Sequence, residues 1–199
     1  MNPEWLILTA VGLGILSASI AEARKPAISA LEARVFHAIN GLPGWLYWPL
    51  WLPMQLGNLV VGTAAGLVVA IVDRDLTVAV GVVLAMVLKL VTERVVRREM
   101  AAALAVRQRP GTSQVGAVRR GDDVPVSGPS FPSGHVILVA GIGTVIAPNL
   151  AMRWTWLPAL AVLLVMIGRV YVGAHNPLDV TAGLGAGLLL GGIIATFVG

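Results

Sequence analysis

The 199-residue chain has no cysteine. That excludes a disulfide framework, a thiolate metal site and a cysteine nucleophile, and leaves the redox compartment undetermined. Charge is scarce as well, with 12% of residues charged against 57% hydrophobic. At a mean hydropathy of +0.84 the chain lies far outside the soluble globular range and reads as an integral membrane protein. Histidine is rarer still: His37, His135 and His175 are the only three. The charge balance is basic, +4 with a pI near 10.3. In a membrane chain that excess fits anionic headgroups or phosphates better than nucleic acid.

What the chain has in abundance is apolar runs. A membrane span needs about 20 mostly apolar residues. Six stretches are candidates: Trp5 to Ile20, Leu56 to Val72, Leu76 to Leu90, Val136 to Leu150, Trp156 to Val170 and Leu178 to Val198. The first is preceded by Glu4 where a signal peptide carries basic residues, so it reads as a retained span. No low-complexity linker divides the chain, which predicts one domain over residues 1–199. The predicted fold is all-α, a six-transmembrane-helix bundle with two additions. Ile28, Leu31, Val35 and Ile39 recur at helical spacing around Glu32 and Arg34, which predicts a short interfacial helix. A helical extension is expected after the third span, where Met100 to Val106 is rich in helix formers and Pro110-Gly111 ends the run. Trp45, Tyr47, Trp48 and Trp51 fit anchors at headgroup level. Thr112 to Pro132 reads as a loop over one face of the bundle.

If six spans alternate, the end of the third, the start of the fourth, the end of the fifth and the start of the sixth emerge together. The uncommon polar residues fall there. Pro132-Ser133-Gly134-His135 opens the fourth span, and a helix start with free N–H groups binds anions, phosphate above all. Ser133 is a preferred N-cap, Gly134 lets a ligand approach the backbone, and His135 in the first turn can donate a proton to a leaving oxygen. Arg169 ends the fifth span, and Asn176-Pro177 opens the sixth as N-cap and first helical residue. Asp179, one turn beyond His175, can hold one imidazole nitrogen so that the other presents its lone pair, making His175 a candidate nucleophile. The Arg169 fork suits phosphoryl oxygens and the charge that develops in transfer. Each residue also has an ordinary role: a helix start, a first-turn acid favoured by the helix dipole, a polar residue at the interface. Their convergence in an apolar chain favours function, because ionisable groups within or beside spans are functional candidates by default.

This pattern resembles the type 2 phosphatidic acid phosphatase family, which shares its phosphate site with the vanadium haloperoxidases. Of the signatures K-x6-R-P, P-S-G-H and S-R-x5-H-x3-D, the second is intact at Pro132 to His135. The third stands as Gly168-Arg169-x5-His175-x3-Asp179, with glycine in place of serine. The first departs further: Arg109-Pro110 is present, but Ala102 occupies the lysine position. Arg98, eleven residues before Arg109, would lie on nearly the same face of a continuous helix as that position, displaced by about 6 Å. It is the first choice for the missing cation, ahead of Arg94, Arg97 and Lys89.

The resemblance covers roughly Leu56 to Val198. It implies a membrane phosphatase acting on a lipid phosphate or diphosphate of isoprenoid, phosphatidate or phosphatidylglycerophosphate type. His175 would attack phosphorus to give a phosphohistidine, His135 would protonate the departing oxygen, and water would hydrolyse the intermediate. Arg98, Arg109, Arg169, Ser133 and Gly134 would cradle the phosphate, with no metal or cofactor required. A lipid-linked phosphotransferase shares the first half-reaction, and a non-catalytic lipid-phosphate binder or transporter could be built on the same scaffold. Gly183, Gly187 and Gly191 recur at the spacing that lets helices approach closely, inside the protein or at a homo-oligomer seam. Sidedness draws opposite answers. Of fourteen Lys and Arg, all but Arg74 and Arg153 fall on the site face, which the positive-inside rule puts in the cytoplasm. The resemblance favours an extracytoplasmic site.

Overall fold

The computed structural model describes residues 3–25, 27–99, 107–122 and 124–198. Among the described residues the regular elements are helices, with one isolated antiparallel bridge between Gln108 and Pro129. The elements are α1 (Pro3–Ala23), α2 (Ala30–Asn40), α3 (Tyr47–Met54), α4 (Leu59–Asp73), α5 (Leu76–Glu99), α6 (Pro110–Ser113), α7 (Gly134–Ile146), α8 (Leu157–Tyr171) and α9 (Pro177–Val198). Each of the six apolar stretches forms a helix, but not all are long enough to cross alone. Four segments are: Pro3–Ala23, Leu76–Glu99, Met152–Tyr171 and Pro177–Val198. The pair Gly44–Gly57 and Leu59–Asp73, bent by 72°, makes a fifth if counted together, and Gly134–Asn149 is shorter. The chain is a multi-pass membrane protein.

Helix α9 is the central post. A methyl group at Gly183 would stand 2.7 Å from the Ser133 carbonyl oxygen, and one at Gly191 2.6 Å from Thr144 Cβ. The glycine stripe therefore seats α9 on α7 inside one chain. A second small-residue face of α9, at Gly185 and Gly192, seats it against Leu16 and Thr9 of α1. Close helix approach trades side-chain volume for dispersion contact along the backbone, and it fixes the starts of α7 and α9 relative to each other. Ser133 N–H donates to the Asp179 carbonyl at 2.9 Å, so the two helix starts are also bonded directly.

Two local elements differ from the sequence reading. Helix α2 forms as expected, but Leu31 and Val35 are 66% and 39% exposed, while Glu32, Phe36 and Asn40 are buried. The face turned inward is i, i+4, i+8 from Glu32, because both polar residues on it find buried partners. Asn40 accepts from Val118 N–H and donates to the Val118 and Tyr171 carbonyls at 2.8 and 2.9 Å. The other difference lies before Arg109. Helix α5 runs nine residues past the expected third span, to Glu99, and Met100 to Val106 lie outside the described residues. Beyond them the backbone is extended: Arg109 has φ −59° and ψ 152°, and its N–H donates to the Gly128 carbonyl at 3.0 Å. No continuous helix connects Arg98 with Arg109, so the shared-face argument for Arg98 does not apply.

Candidate active site

The start of α7 is open. Ser133 occupies the N-cap position with extended geometry, φ −75° and ψ 106°, yet its hydroxyl caps nothing. The Ser133 Oγ is buried and has no hydrogen-bond partner among the described residues. The first N–H groups of a helix lack intrahelical acceptors and carry the positive end of its dipole. A buried hydroxyl beside such a start is a place for an anion. A methyl group at Gly134 would fall 2.6 Å from Glu93 Oε2 and 2.9 Å from Lys89 Cε. This glycine therefore lets the α5 pair Lys89–Glu93, joined at 2.7 Å, sit against the helix start. Arg169, His175, Lys89 and Arg109 are the groups near enough to act electrostatically on His135. One surface of His135 is pressed by Gly57, and the adjoining cavity is lined by Trp51, Gln55, Asn58, Arg120, His135 and Arg169.

The start of α9 is closed. Asp179 Oδ2 accepts from Asn176 N–H at 2.8 Å, the acidic half of a capping box, so Asn176 serves as N-cap through its backbone. The Asn176 side chain faces the loop instead, donating to the Gln108 carbonyl and accepting from Gln114. Leu178 N–H donates to Glu32 Oε1 at 3.0 Å. Between α8 and α9, Gly173 at φ +75° makes the left-handed turn that ends α8, a conformation costly for a residue with a side chain. The Ala174 and His175 N–H groups then donate to the Arg169 carbonyl at 3.1 and 3.2 Å. His175 thus hangs directly below Arg169.

His175 Nδ1 lies 3.7 Å from Asp179 Oδ2, an ion-pair distance longer than a hydrogen bond. Burial depresses the His175 pKa to about 4; the Asp179 carboxylate opposes that, and the Arg169 and Arg109 charges add to it. The ring is neutral at pH 7, which leaves a lone pair on Nε2 when Nδ1 holds the proton. Arg109 Nη1 donates to the Ala174 carbonyl at 2.9 Å, so its guanidinium is fixed next to His175. Burial, followed by the neighbouring Arg97, lowers the Arg109 pKa. Arg169 is 7% exposed and lines the cavity with His135. Among the described residues no three His, Cys, Asp or Glu side chains gather as a metal-ligand set.

A family model described as the PAP2 superfamily matches residues 76–199. The chain belongs to this superfamily. Undecaprenyl-diphosphatase of Sulfolobus acidocaldarius is 46% identical over 55 residues, 27% of this chain and 26% of that protein, so the match spans about a quarter of the relative's length. Two crystal structures share the fold. LpxE of Aquifex aeolicus has a TM-score of 0.73 at 24% identity, over 85% of this chain and 97% of that one. A transmembrane PAP2-type phosphatidylglycerolphosphate phosphatase of Bacillus subtilis has 0.69 at 20% identity, over 94% and 95%.

In this PAP2 chain the structure brings His135, His175, Asp179, Ser133, Gly134, Arg109 and Arg169 to one end of the bundle. Arg98 is exposed on the last turn of α5. Lys89 is the α5 cation beside Gly134. The serine missing before Arg169 is accounted for by packing: a Cβ at Gly168 would lie 2.5 Å from Met54 Cγ, so α3 occupies that space. Sequence reasoning missed Glu32 and Arg107, both buried at the site. Their only early signal was charge, one acid on a helix assigned to the interface and one base two residues before Arg109.

Proposed function

We propose that the protein is a membrane phosphatase that hydrolyses a lipid phosphate or diphosphate through a phosphohistidine. The observation that carries this reading is the buried, unpartnered Ser133 Oγ at the open start of α7, with His135, Arg169, Arg109 and Lys89 around it. Phosphate oxygens would take the Ser133 hydroxyl, the Gly134 and His135 N–H groups and the two guanidinium forks. The cradle neutralises charge that spreads over the equatorial oxygens in transfer.

His175 Nε2 would attack phosphorus while the bond to the lipid oxygen, or to the outer phosphate of a diphosphate, breaks on the opposite side. His135 gives that oxygen its proton; the negative charge of the bound substrate favours the protonated imidazole. A water, activated by the same His135, then cleaves the phosphorus–nitrogen bond and restores His175. Asp179 takes Nδ1–H once substrate is bound and balances the positive charge on the phosphorylated ring. The Nδ1 to Oδ2 gap of 3.7 Å would tighten on substrate binding, as such contacts do between free and occupied sites. Lys89, rather than Arg98, takes the part of the lysine missing from the first signature.

In this reading α1, α4, α5, α7, α8 and α9 are six crossings of one domain. Helix α7, 13 residues long, is short because it starts at the sunken Ser133 and not at the membrane surface. The exposed Leu31 and Val35 of α2 and the exposed Trp45 and Trp48 would meet lipid at headgroup depth. A lipid phosphate at that depth lies level with the cavity. The test is phosphate release from phosphatidate, phosphatidylglycerophosphate and isoprenyl diphosphate by purified protein in nanodiscs, against His175→Ala. Release by the wild type alone, with acid-labile phosphate trapped on His175, is the expected result. Equal background release by both proteins with every substrate sinks the enzyme reading in favour of a binder, and appearance of label on an added alcohol instead of in free phosphate marks a transferase.

A further inference from the structure

The mechanism above uses one carboxylate behind His175, but the structure places two there, bridged by a guanidinium. Arg107 Nε and Nη2 both donate to Asp179 Oδ1 at 3.3 Å. On its other side Arg107 Nη1 donates to Glu32 Oε2 at 3.2 Å and Nη2 to Glu32 Oε1 at 2.5 Å. Arg107, Glu32 and Asp179 are 2%, 8% and 0% exposed. The face of Arg107 lies 6.0 Å from the centroid of Phe131, just before the P-S-G-H segment. Burial works against the charge of Arg107, but its bonds to Glu32 and the charge of Asp179 outweigh it and raise its pKa.

We infer that Glu32 and Arg107 are positioning residues for phosphoryl transfer: Arg107 holds Asp179 so that its Oδ2 faces His175, and Glu32 offsets the Arg107 charge so that Asp179 keeps its own. This rests on the phosphatase reading and deepens it. Geometry gives the first part. The fork occupies Oδ1 and Asn176 N–H donates to Oδ2, which His175 Nδ1 faces at 3.7 Å, so the carboxylate cannot rotate without breaking its bonds on both oxygens. Glu32 also caps Leu178 N–H, so one side chain from α2 sets both the fork and the first turn of α9. Charge gives the second part. Two carboxylates and one guanidinium sum to −1, so Glu32 offsets Arg107 and leaves Asp179 its own charge to set against the phosphoimidazolium that attack by Nε2 forms, which still carries Nδ1–H.

A structural role alone accounts poorly for the arrangement. Buried ionic triads are seldom more stable than well-packed apolar residues of the same volume, because desolvation offsets the attraction. The sequence here is otherwise rich in apolar side chains that could have filled the space.

A double-mutant cycle between Glu32→Gln and Asp179→Asn, read by single-turnover kinetics, tests the inference. Glutamine keeps the shape and the acceptor for Leu178 N–H while removing the charge. Glu32→Gln should lower kcat about 10- to 50-fold, leave KM and vanadate affinity within threefold, and change the rate less than twofold in the Asp179→Asn background, since coupled residues are non-additive. The same fold loss in both backgrounds, or a raised KM with kcat intact, overturns the inference while leaving the phosphatase reading standing. A wild type no faster than His175→Ala defeats both. If Glu32→Gln does not fold, Arg107→Lys, which keeps the charge but not the fork, replaces it with the same two outcomes.

Discussion

Two helices start side by side at the site, and they are finished in opposite ways. The start of α9 is saturated: its own Asp179 caps Asn176, and Glu32 from α2 caps Leu178. The start of α7 is left open, with a serine in the cap position whose hydroxyl bonds to nothing among the described residues. Both would be expected to bind anions on the helix dipole alone. The difference teaches that a helix start stays available to a ligand when the chain withholds caps from it. Saturated, the same structure becomes a rigid mount, here for His175. One end is built to receive and the other to stay still.

The contrast breaks most severely if the mount carries no chemistry. His175→Ala is expected to lower kcat by roughly 10³-fold or more, by analogy with removal of a covalent nucleophile. Loss of activity with vanadate affinity within tenfold of wild type, measured by calorimetry, would place the defect in the mount and not in the receiving end. The buried setting of His175 adds a pH signature. A free imidazole with a pKa near 6.5 would be only about 3% neutral at pH 5, whereas one with a pKa of about 4 is about 90% neutral. The lowered value means that the neutral nucleophile survives acidification, an advantage of about thirtyfold at pH 5. Titration of the His175 ring by nitrogen-15 NMR in detergent should show its midpoint near 4; a midpoint near 6.5 contradicts the buried geometry.

At the receiving end, Ser133→Ala should lower kcat/KM by about 10- to 100-fold and weaken vanadate binding in step. It should leave the melting temperature nearly unchanged, because no cap bond is lost. An ordinary N-cap serine costs about 0.5–2 kcal/mol of stability when replaced by alanine. A clear drop in melting temperature with activity retained would show that Ser133 is a cap after all. A smaller effect separates the two cations of α5. Lys89→Met is expected to weaken vanadate binding about tenfold, and Arg98→Met less than twofold; the reverse order restores Arg98 to the cradle.

How far the sequence revealed these two ends follows from the range of the interactions. Hydropathy found the apolar helices, because apolar character is read residue by residue along the chain, but not their lengths: four segments are long enough to cross alone. Spacing put Ser133 with His135, and His175 with Asp179, each pair within about a turn of one helix start. What it missed is carried by distant residues. Glu32 and Arg107 are 75 positions apart in sequence, and a helix whose polar residues turn inward gives the same periodicity as one whose apolar residues do. The shared-face argument for Arg98 needed unbroken helix to Arg109, whereas the chain there bonds to Gly128. The open and closed caps were invisible too, since Ser133 and Asn176 are both good N-cap residues and only tertiary contacts decide which one caps.

The finest test of the contrast concerns Gly168, where the family signature has serine. A serine there would bring its Cβ within 2.5 Å of Met54 Cγ and 2.7 Å of Met54 Sδ. Methionine is unbranched and adaptable, so the clash can be relieved by a rotamer change at modest cost, about 1–3 kcal/mol if the neighbours resist. Met54 and Arg169 both line the cavity, so displaced sulfur would crowd the receiving end and leave the α9 mount untouched. Gly168→Ser is therefore expected to raise KM two- to threefold with kcat nearly constant, and Met54→Ala in the same chain to restore it. A fall in kcat with KM unchanged would mean instead that the added hydroxyl reaches Arg169 or His175 and disturbs the mount, which would join the two helix starts into one coupled unit.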